Sequence, residues 1–368
     1  MKLTFKKPNL LNGLQIVSKA VPSHTTMPIL ECILITAADG EIKLIANDMD
    51  LGIETVVEGE IIEEGIIALE AKMFVEICRK MTEEEISIET DENYNAFISC
   101  GKANFNIVGK DGEDFSYLPE VERNNEVVVS QFTLKEIIRQ TIFSISENDN
   151  NKIMGGELFE INEDRLKIVS LDGHRISIRN TDLRDSYDPV KVIVPGKTLN
   201  EINKILSGEA DKDVMISFSD KHIIFEFDST TVVSRLIEGN YFNVDQMISL
   251  DYETKVSINK REFINCIERA TLMVKEGDKK PIIIDIKDGS LELRINSTRG
   301  SMNEQVDITK EGKDLMIGFN PKFLIDALKA IDEESVSLYM VNSKAPCIIR
   351  DESGSYLYLI LPVNFVQP

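Results

Sequence analysis

The sequence has few of the residues that build metal sites and disulfide scaffolds. Its 368 residues include only three histidines, far apart from one another, and five cysteines without a CxxC pair. The cysteines are Cys32, Cys78, Cys100, Cys266 and Cys347. An odd, scattered set of this kind is typical of reduced, buried thiols in a cytoplasmic protein. We therefore expect no disulfide scaffold, no zinc site and no cofactor.

Long hydrophobic runs are absent as well. No apolar stretch approaches the roughly 20 residues that a membrane-spanning helix requires. Residues 1–8 lack the apolar core of a secretory signal, so we expect a cytoplasmic protein without a membrane segment. The apolar fraction of 42% and the chain length are sufficient for about two or three folded domains.

Basic residues are outnumbered by acidic ones. There are 41 lysines and arginines against 63 aspartates and glutamates, which gives a formal net charge of −22. Such an excess of acid normally argues against a nucleic-acid partner, because an acidic surface repels phosphates. The sum does not describe how the charges are distributed, however, and their distribution along the chain points the other way.

A threefold internal repeat organises the whole chain. One amphipathic segment recurs as residues 71–81, 196–206 and 321–331, so its copies begin 125 residues apart. In each copy, apolar residues spaced by three and four positions predict a helix with one face toward the core. These residues are Phe74, Leu199 and Leu324, then Ile77, Ile202 and Ala327, then Met81, Leu206 and Ile331.

The remaining elements recur in step with that helix. Apolar spacing predicts an earlier helix within residues 10–17, 134–141 and 263–270. Alternating apolar runs predict strands, and Asp39-Gly40 and Asp288-Gly289 are typical of type I′ hairpin turns, with Glu163-Asp164 in the matching place. Each repeat is predicted to run β-α-β-β-β-α-β-β-β. The predicted domains are residues 1–123, 124–251 and 252–368.

Two positions of the repeated helix carry a basic residue in every copy. They are Lys72, Lys197 and Lys322, followed seven residues later by Arg79, Lys204 and Lys329. Residues seven apart lie on the same side of a helix, about 10 Å from each other. A repeated basic stripe suits a polyanion whose backbone is bound through its charge and not its base identity. Helices facing a common axis would form a positive lining inside a negative outer surface.

Six short motifs, in chain order, carry a family resemblance. They are Thr-Met-Pro-Ile-Leu at 26–30, Asp-Gly-His-Arg-Ile at 172–176, Val-Ile-Val-Pro at 192–195, Arg-Leu-Ile-Glu-Gly at 235–239, Ile-Gly-Phe-Asn at 317–320 and Leu-Pro-Val at 361–363. Along its whole length the chain resembles the bacterial sliding clamp, the β subunit of DNA polymerase III. The resemblance implies an α+β DNA-clamp fold of three similar domains that forms a ring-shaped, head-to-tail homodimer. Helices would line a central hole around duplex DNA, and β-sheets would form the outer scaffold.

The resemblance further implies a replication processivity factor without catalytic activity. It would tether the replicative DNA polymerase catalytic subunit and exchange it with the clamp loader, repair polymerases, mismatch-repair proteins and ligase. Residues in loops from which family members touch DNA are His24, which replaces a basic residue usual there, and Asn148. The expected DNA-binding set is His24, Lys72, Arg79, Asn148, Lys197, Lys204, Lys322 and Lys329.

Two further sites follow from the same resemblance. A hydrophobic pocket for partner peptides would be lined by Met154, Leu171, Gly173, His174, Arg175, Ile176, Phe242, Gln246, Met247, Phe323, Pro346, Leu359, Leu361 and Pro362. Leu171, Phe242 and Gln246 differ from the residues common in the family, which implies a shifted peptide preference. The dimer joint would involve Lys102, Phe105, Ile107, Leu272 and Met273.

Three other functions are alternatives to this one. An enzyme could use Asp172, His174 and Arg175 for acid–base or phosphate chemistry. The alternation on both sides of Asp172-Gly173 predicts an ordinary hairpin turn there, and no catalytic motif supports turnover. A purely structural oligomer does not explain the coincident basic positions. A sequence-specific DNA binder lacks a helix-turn-helix, zinc or basic-region signal.

Overall fold

The structure, a computed structural model, describes residues 1–116, 121–146, 151–274 and 280–365. Within them are six α-helices: α1 (Lys7–Val17), α2 (Ala71–Lys80), α3 (Gln131–Thr141), α4 (Gly196–Ile205), α5 (Lys260–Thr271) and α6 (Pro321–Ala330). The three copies of the predicted repeat helix are α2, α4 and α6, and each ends one residue earlier than predicted. The prediction failed there because Met81, Leu206 and Ile331 continue the apolar pattern and are buried, although they lie beyond the helix ends.

The strands alternate with these helices along the chain. The first group is β1 (Lys2–Lys6), β2 (Cys32–Ala38), β3 (Glu41–Asn47), β4 (Leu51–Val56), β5 (Glu60–Glu63), β6 (Gly65–Glu70), β7 (Glu85–Thr90), β8 (Asn95–Cys100) and β9 (Ala103–Val108). The second is β10 (Asn124–Ser130), β11 (Gly156–Leu171), β12 (Arg175–Pro195), β13 (Asp213–Phe218), β14 (His222–Phe227) and β15 (Thr230–Arg235). The third is β16 (Thr254–Asn259), β17 (Ile282–Lys287), β18 (Ser290–Ser297), β19 (Gly300–Gly312), β20 (Leu315–Phe319), β21 (Ser335–Met340), β22 (Cys347–Arg350) and β23 (Tyr356–Ile360).

The chain forms two compact units. One comprises Met1–Leu134 and Glu201–Leu236, and it contains a five-stranded sheet in the order β5-β1-β7-β8-β9 and an eight-stranded sheet in the order β10-β13-β14-β15-β4-β3-β2-β6. The other comprises Lys135–Asn200 and Ile237–Pro368. Its ten-stranded sheet has the order β11-β12-β23-β22-β21-β16-β19-β18-β17-β20. All strand pairs in these sheets are antiparallel, consistent with the alternating apolar pattern of the sequence.

The number of strands between the two helices of a repeat differs from the prediction of three. Among the described residues there are five in the first repeat, two long ones in the second and four in the third. In the second, residues 156–161 of β11 pair with 190–195 of β12, whereas 165–171 pair with 176–182. Glu163 lies between the two stretches, at the predicted turn, and has a φ of 56°. The two strands therefore remain paired across a position where the sequence predicts that each strand is interrupted.

The predicted hairpin turns are only partly of the expected type. Asp39 and Gly40 have φ values of 53° and 82°, as a type I′ turn requires at both central residues. Between β17 and β18, Gly289 has a φ of 76°, but Asp288 does not adopt a positive φ. The Asp288-Gly289 turn is therefore not type I′. Glycine at the second position alone suffices for the reversal there.

Capping side chains explain where several helices begin. Glu70 accepts hydrogen bonds from the N–H groups of Lys72 and Met73 at the start of α2. Asn320 accepts the N–H of Lys322 at the start of α6, and Asn259 caps α5 in the same way. The apolar faces behind these caps are fully buried, including Phe74 of α2 and Leu324 of α6. The helices therefore present their polar flanks, with the basic positions, to solvent.

Candidate functional site

The six predicted cationic side chains of α2, α4 and α6 are all exposed. Those in the last turn of each helix are ion-paired. Arg79 Nη1 lies 2.7 Å from Glu76 Oε1, Lys204 Nζ 2.8 Å from Glu201 Oε1 and Lys329 Nζ 2.8 Å from Glu268 Oε1. Each of these cations is thus partly neutralised, so its contribution to anion binding is reduced.

The other three cations, Lys72, Lys197 and Lys322, lie in the first turns of their helices. Within the described residues, no ion pair involves Lys72 or Lys322. The partial positive charge at a helix N-terminus adds to that of a lysine there, which disfavours the cation within the isolated helix. An external anion such as a phosphate would offset this repulsion, so these positions are suited to a polyanion.

Of the two loop residues predicted to contact DNA, one can be described. His24 is exposed between the short 3-10 turns Ser18–Ala20 and Pro28–Glu31. Its imidazole is available to solvent, as contact with an external ligand would require. Asn148 lies outside the described residues.

A cavity of about 340 Å³ opens beside the turn between β11 and β12. It brings together eleven of the fourteen predicted pocket residues: Met154, Leu171, Gly173, His174, Arg175, Ile176, Phe242, Met247, Pro346, Leu359 and Leu361. The other three do not line it. Gln246 is exposed at the end of the 3-10 turn Val244–Gln246, and Pro362 follows the lining residue Leu361. The Phe323 ring stacks on His174, with 6.0 Å between ring centroids.

The β11–β12 turn is shaped by Asp172, and it is the predicted hairpin. Asp172 Oδ1 accepts the N–H groups of His174 at 3.0 Å and Arg175 at 3.2 Å. Gly173 has a φ of 85°, a conformation that favours glycine. Leu171 and Ile176 face each other across the ladder that the turn closes. The carboxylate of Asp172 is therefore occupied in holding the turn.

Arg175 is buried in the cavity wall and links several parts of it by hydrogen bonds. Its Nε donates to Asp172 Oδ2 at 3.0 Å and its Nη1 to Asp326 Oδ2 at 2.7 Å, while Nη2 donates to the Phe143 carbonyl. The guanidinium also lies 4.5 Å from the centre of the Phe323 ring. Because fixed acceptors hold its donors, Arg175 orients the wall and does not offer its charge to a substrate.

The segment 241–248 forms the opposite wall of the cavity. Val244 is buried, and Tyr241, Phe242 and Ile248 pack with it against one face of the ten-stranded sheet. Tyr241 Oη donates to the Val169 carbonyl at 3.1 Å, and burial raises the pKa of its hydroxyl. The wall is therefore anchored by a hydrogen bond as well as by apolar packing. The arrangement provides an apolar cleft with few free polar groups.

The predicted joint residues of the first repeat lie on or next to the edge strand β9. Lys102 is in the turn before the strand, Phe105 is 41% exposed and Ile107 is 9% exposed. Phe105 faces Ile98, and Ile107 faces Ala96, on the same side of the sheet. Val108, on the other face, is 77% exposed. In the described part of the chain, β9 is the last strand of its sheet, so it combines an edge without a strand partner with exposed apolar side chains.

The predicted joint residues of the third repeat follow α5. Leu272 is 68% exposed, whereas Met273 is half-buried against the core. Ser297 Oγ donates to the Met273 carbonyl, and Arg299 Nη1 donates to Val274 O at 3.3 Å. These bonds tie the helix end to the turn that begins β19.

Several residues that build the cavity were not predicted from the sequence. Asp326 and Phe143 hold Arg175, and Tyr241 fixes the 241–248 wall. Asp326 lies 151 residues from Arg175 along the chain, so no local spacing connects them. The sequence feature that could have indicated Asp326 is an acidic residue close to the apolar face of the repeat helix.

Two negative findings concern the described residues. Among them, no group of three or more His, Cys, Asp or Glu side chains is arranged to hold a metal ion. No helix in the described ranges has the length and apolar character needed to span a membrane.

Comparison with known proteins identifies the family. Models of the DNA polymerase III beta subunit match in three parts: its N-terminal domain at residues 1–119, its central domain at 128–243 and its C-terminal domain at 245–364. The beta sliding clamp of Staphylococcus epidermidis is 34% identical, with 99% of each chain covered.

Solved structures agree with this assignment. The crystal structure of a putative DNA polymerase III beta subunit from Eubacterium rectale has a TM-score of 0.96 and 66% identity, covering 99% of this chain and all of the other. The DNA polymerase sliding clamp of Bacillus subtilis has a TM-score of 0.95 and 31% identity over the full length of both chains. The predicted α+β clamp fold of three similar domains is thereby confirmed. The chain belongs to the beta sliding clamp family, whose members are non-catalytic processivity subunits of DNA polymerase III in DNA replication.

Proposed function

We propose that two copies of this chain close head to tail into a ring that encircles duplex DNA, and that the cavity beside the β11–β12 turn holds peptides of the replicative polymerase and other partners. The domains would be residues 1–123, 124–251 and 252–368, and the protein would work in the cytoplasm. The observation that carries the proposal is a type of strand pairing that occurs twice within the chain. Among the described residues, the two strand edges that would form a third pairing of this type are not paired with each other.

The pairing joins successive repeats. In the first instance β4 pairs with β15, with Gly52 opposite Val233. In the second, β12 pairs with β23, with Ile176 opposite Leu359. Both pairings are antiparallel and join the strand after the second turn of one repeat to the last strand of the next. The same joint therefore occurs at two places in one chain.

The third joint has its two halves at opposite ends of the chain. Asp48 and Asp172 each precede the second turn of their repeat, and each N–H donates to the carbonyl of the residue three positions later. Ser297 holds the same position in the third repeat and lies opposite Gly300, so the matching strand there begins at Gly300 in β19. In the first repeat, the matching last strand is β9, the final strand of its sheet. By equivalence, Ser301 would face Asn106 of a second copy. Exposed Leu272 and Phe105 supply apolar surface for such contact.

The DNA and partner sites belong to this proposal too. His24, Asn148 and the six basic positions of α2, α4 and α6 would contact phosphates without reading bases. Weak contacts of this kind permit sliding, and enclosure provides retention. The apolar cavity would take short motifs from the polymerase, clamp loader, repair polymerases, mismatch-repair proteins and ligase, one at a time.

A covalently closed ring tests the proposal directly. The variant Ser301→Cys/Asn106→Cys would be loaded onto nicked circular DNA by a clamp loader and then oxidised. Residues directly opposite in antiparallel strands have the Cα separation that a disulfide needs. All five native cysteines are buried, so the new thiols are the reactive ones.

We expect the oxidised protein to remain on the circle through a salt wash and in SDS, and to be released when the DNA is linearised. Each single-cysteine variant should be lost in SDS from either form. Release of the cross-linked dimer from intact circles would contradict encirclement. Failure of the two cysteines to cross-link would contradict the proposed joint.

A further inference from the structure

A second cavity lies on the same face of the ten-stranded sheet as the first. It has a volume of about 380 Å³, and its lining includes Ile178, Ile248, Leu250, Leu357 and Arg350. Its floor is apolar, whereas its rim carries charged side chains. Neither the predicted peptide pocket nor the predicted DNA contacts include these residues.

The register of the strands relates the two cavities. Ile176 of β12 faces Leu359 of β23, and both line the first cavity. Two residues along each strand, Ile178 faces Leu357, and both line the second. Side chains two residues apart on a strand point to the same face, about 7 Å from each other. The two cavities therefore share one continuous floor.

The segment 241–248 separates the two cavities above this floor. Phe242 and Met247 line the first, whereas Asp245 and Ile248 line the second. Lys167 Nζ lies 2.9 Å from Asp245 Oδ1 and fixes this side of the segment to β11. A bound chain emerging from the first cavity needs only a few extended residues to reach the second.

Arg350 extends the row formed by Ile178 and Leu357. It faces Leu357 across β22 and β23, and its guanidinium lies 4.6 Å from the centre of the Tyr339 ring. Lys255 Nζ lies 5.7 Å from the same ring centre. Stacking holds the guanidinium plane but uses none of its N–H donors. Among the described residues, Arg350 forms no ion pair.

The acidic side chains of the same rim differ from Arg350 in their partners and exposure. Asp245 is paired with Lys167. Asp351 accepts the N–H groups of Ser355 and Tyr356 at 3.2 Å each, as well as the Ser355 hydroxyl. Glu352 is exposed. Arg350 is therefore the lining cation whose donors remain available to an acceptor from outside.

We propose that the second cavity receives partner residues flanking the motif anchored in the first, and that Arg350 selects a carboxylate among them. This inference rests on the proposed peptide function of the first cavity and names the chemistry of its partners. A planar guanidinium, already oriented by an aromatic ring, recognises a carboxylate through two parallel hydrogen bonds. The apolar floor between the anchor and Arg350 accommodates the stem of such a side chain.

Synthetic peptides of about twelve residues, long enough to span both cavities, provide the test. All would share a central anchor of leucine and phenylalanine, two large apolar residues suited to the apolar lining of the first cavity. They would differ in three flanking residues on one side: glutamates, glutamines or lysines. A second set would carry the flank on the other side. Dissociation constants would be measured by calorimetry for wild type, Arg350→Gln, Arg350→Lys and the control Arg179→Gln. Arg179 also stacks on a tyrosine, Tyr356, but does not line the cavity.

For one of the two sets, we expect wild type to bind the glutamate peptide about five- to tenfold more tightly than the glutamine peptide. Arg350→Gln should remove this difference without changing affinity for the glutamine peptide, and Arg179→Gln should keep it. A preference that survives in Arg350→Gln, or is absent from wild type, overturns the inference and leaves the peptide site intact. Absence of binding by every peptide overturns the peptide site and the inference together.

Discussion

At the scale of single residues, Glu157 is the most unusual ionisable group in the described structure. It lies on β11 with no exposed surface, and its two carboxylate oxygens have no hydrogen-bond partner among the described residues. Burial raises its pKa to about 8, although the nearby Thr141 hydroxyl acts in the opposite direction. Thr141 Oγ1 donates to the Ile137 carbonyl at 2.8 Å, so burial dominates. At neutral pH the side chain is therefore mostly protonated.

We expect Glu157→Gln to weaken the pH dependence of stability. The unfolded carboxyl ionises around 4.5 and the folded one around 8, so the stability it contributes is complete below pH 4.5 and falls as pH rises through the folded pKa. Glutamine matches its shape and never ionises. The variant should gain on the order of 3 kcal/mol relative to wild type by pH 8, measured by urea unfolding from pH 5 to pH 9.

Glu160→Gln is the matched control, because Glu160 lies on the same strand with its side chain 32% exposed and paired with Lys191. Its unfolding curve should follow that of wild type in shape across the same pH range. Parallel curves for Glu157→Gln and wild type would contradict a buried, protonated carboxyl at this position.

At the scale of elements, the helices were the most predictable part of the fold. Spacing of apolar residues identifies α2, α4 and α6 because one face of each is fully buried, as Phe74 and Leu324 illustrate. Their ends were less predictable, since Met81 is buried in an extended conformation just beyond the helix. In the second repeat, the predicted strand count failed because β11 continues through Glu163, where local sequence predicts a turn.

The cavity depended far more on the family resemblance than on local sequence. Its wall joins Leu171, Phe242 and Leu361, which are distant along the chain and meet only through sheet pairing and the 241–248 segment. Apolar spacing predicts that such residues are buried but not that they leave a cleft. The hydrogen bond from Arg175 to Asp326 is a tertiary contact of the same kind. Local spacing therefore cannot predict which residues meet at this site.

The first-turn lysines provide a test at this scale. We expect Lys72→Glu/Lys322→Glu to reduce loading onto nicked circular DNA at least fivefold at low salt, because the change reverses two charges per chain that are proposed to contact phosphates. An acidic residue in the first turn is favourable to a helix, so the loss should not arise from unfolding. Loaded protein would be measured by gel filtration, and helix content by circular dichroism.

A control with the same change in net charge is Lys221→Glu/Lys344→Glu, two exposed lysines outside the helices. It should load as well as wild type does. Equal losses in both double variants would mean that total charge, and not the helix positions, governs DNA contact.

At the scale of the whole molecule, electrostatic forces should act in opposite directions on the two proposed contacts, because the net charge of −22 is unevenly distributed over the chain. Two copies of such a chain repel each other, whereas the exposed cations of the helices would attract the DNA of the proposed complex. Exposed side chains at the proposed joint, Phe105 and Leu272, are apolar. Salt should therefore screen an unfavourable force in one contact and a favourable force in the other.

We expect the dimer dissociation constant to fall as NaCl rises from about 50 to about 500 mM, where screening is short-ranged. DNA loading should weaken over the same range. Sedimentation velocity across a concentration series would measure the first effect. A dimer that dissociates with added salt would instead indicate a joint held mainly by ion pairs.

The strand pairing between repeats also determines where the proposed ring is mechanically weak. Each chain contains the β4–β15 and β12–β23 joints, and there the polypeptide itself continues from one repeat into the next. Separating either would strain covalent linkers as well as hydrogen bonds. The proposed contacts between β9 and β19 of two copies would have no such tether. DNA would therefore enter the ring where one of these two contacts between chains opens. The number of such entry points equals the number of chains and not the number of domains.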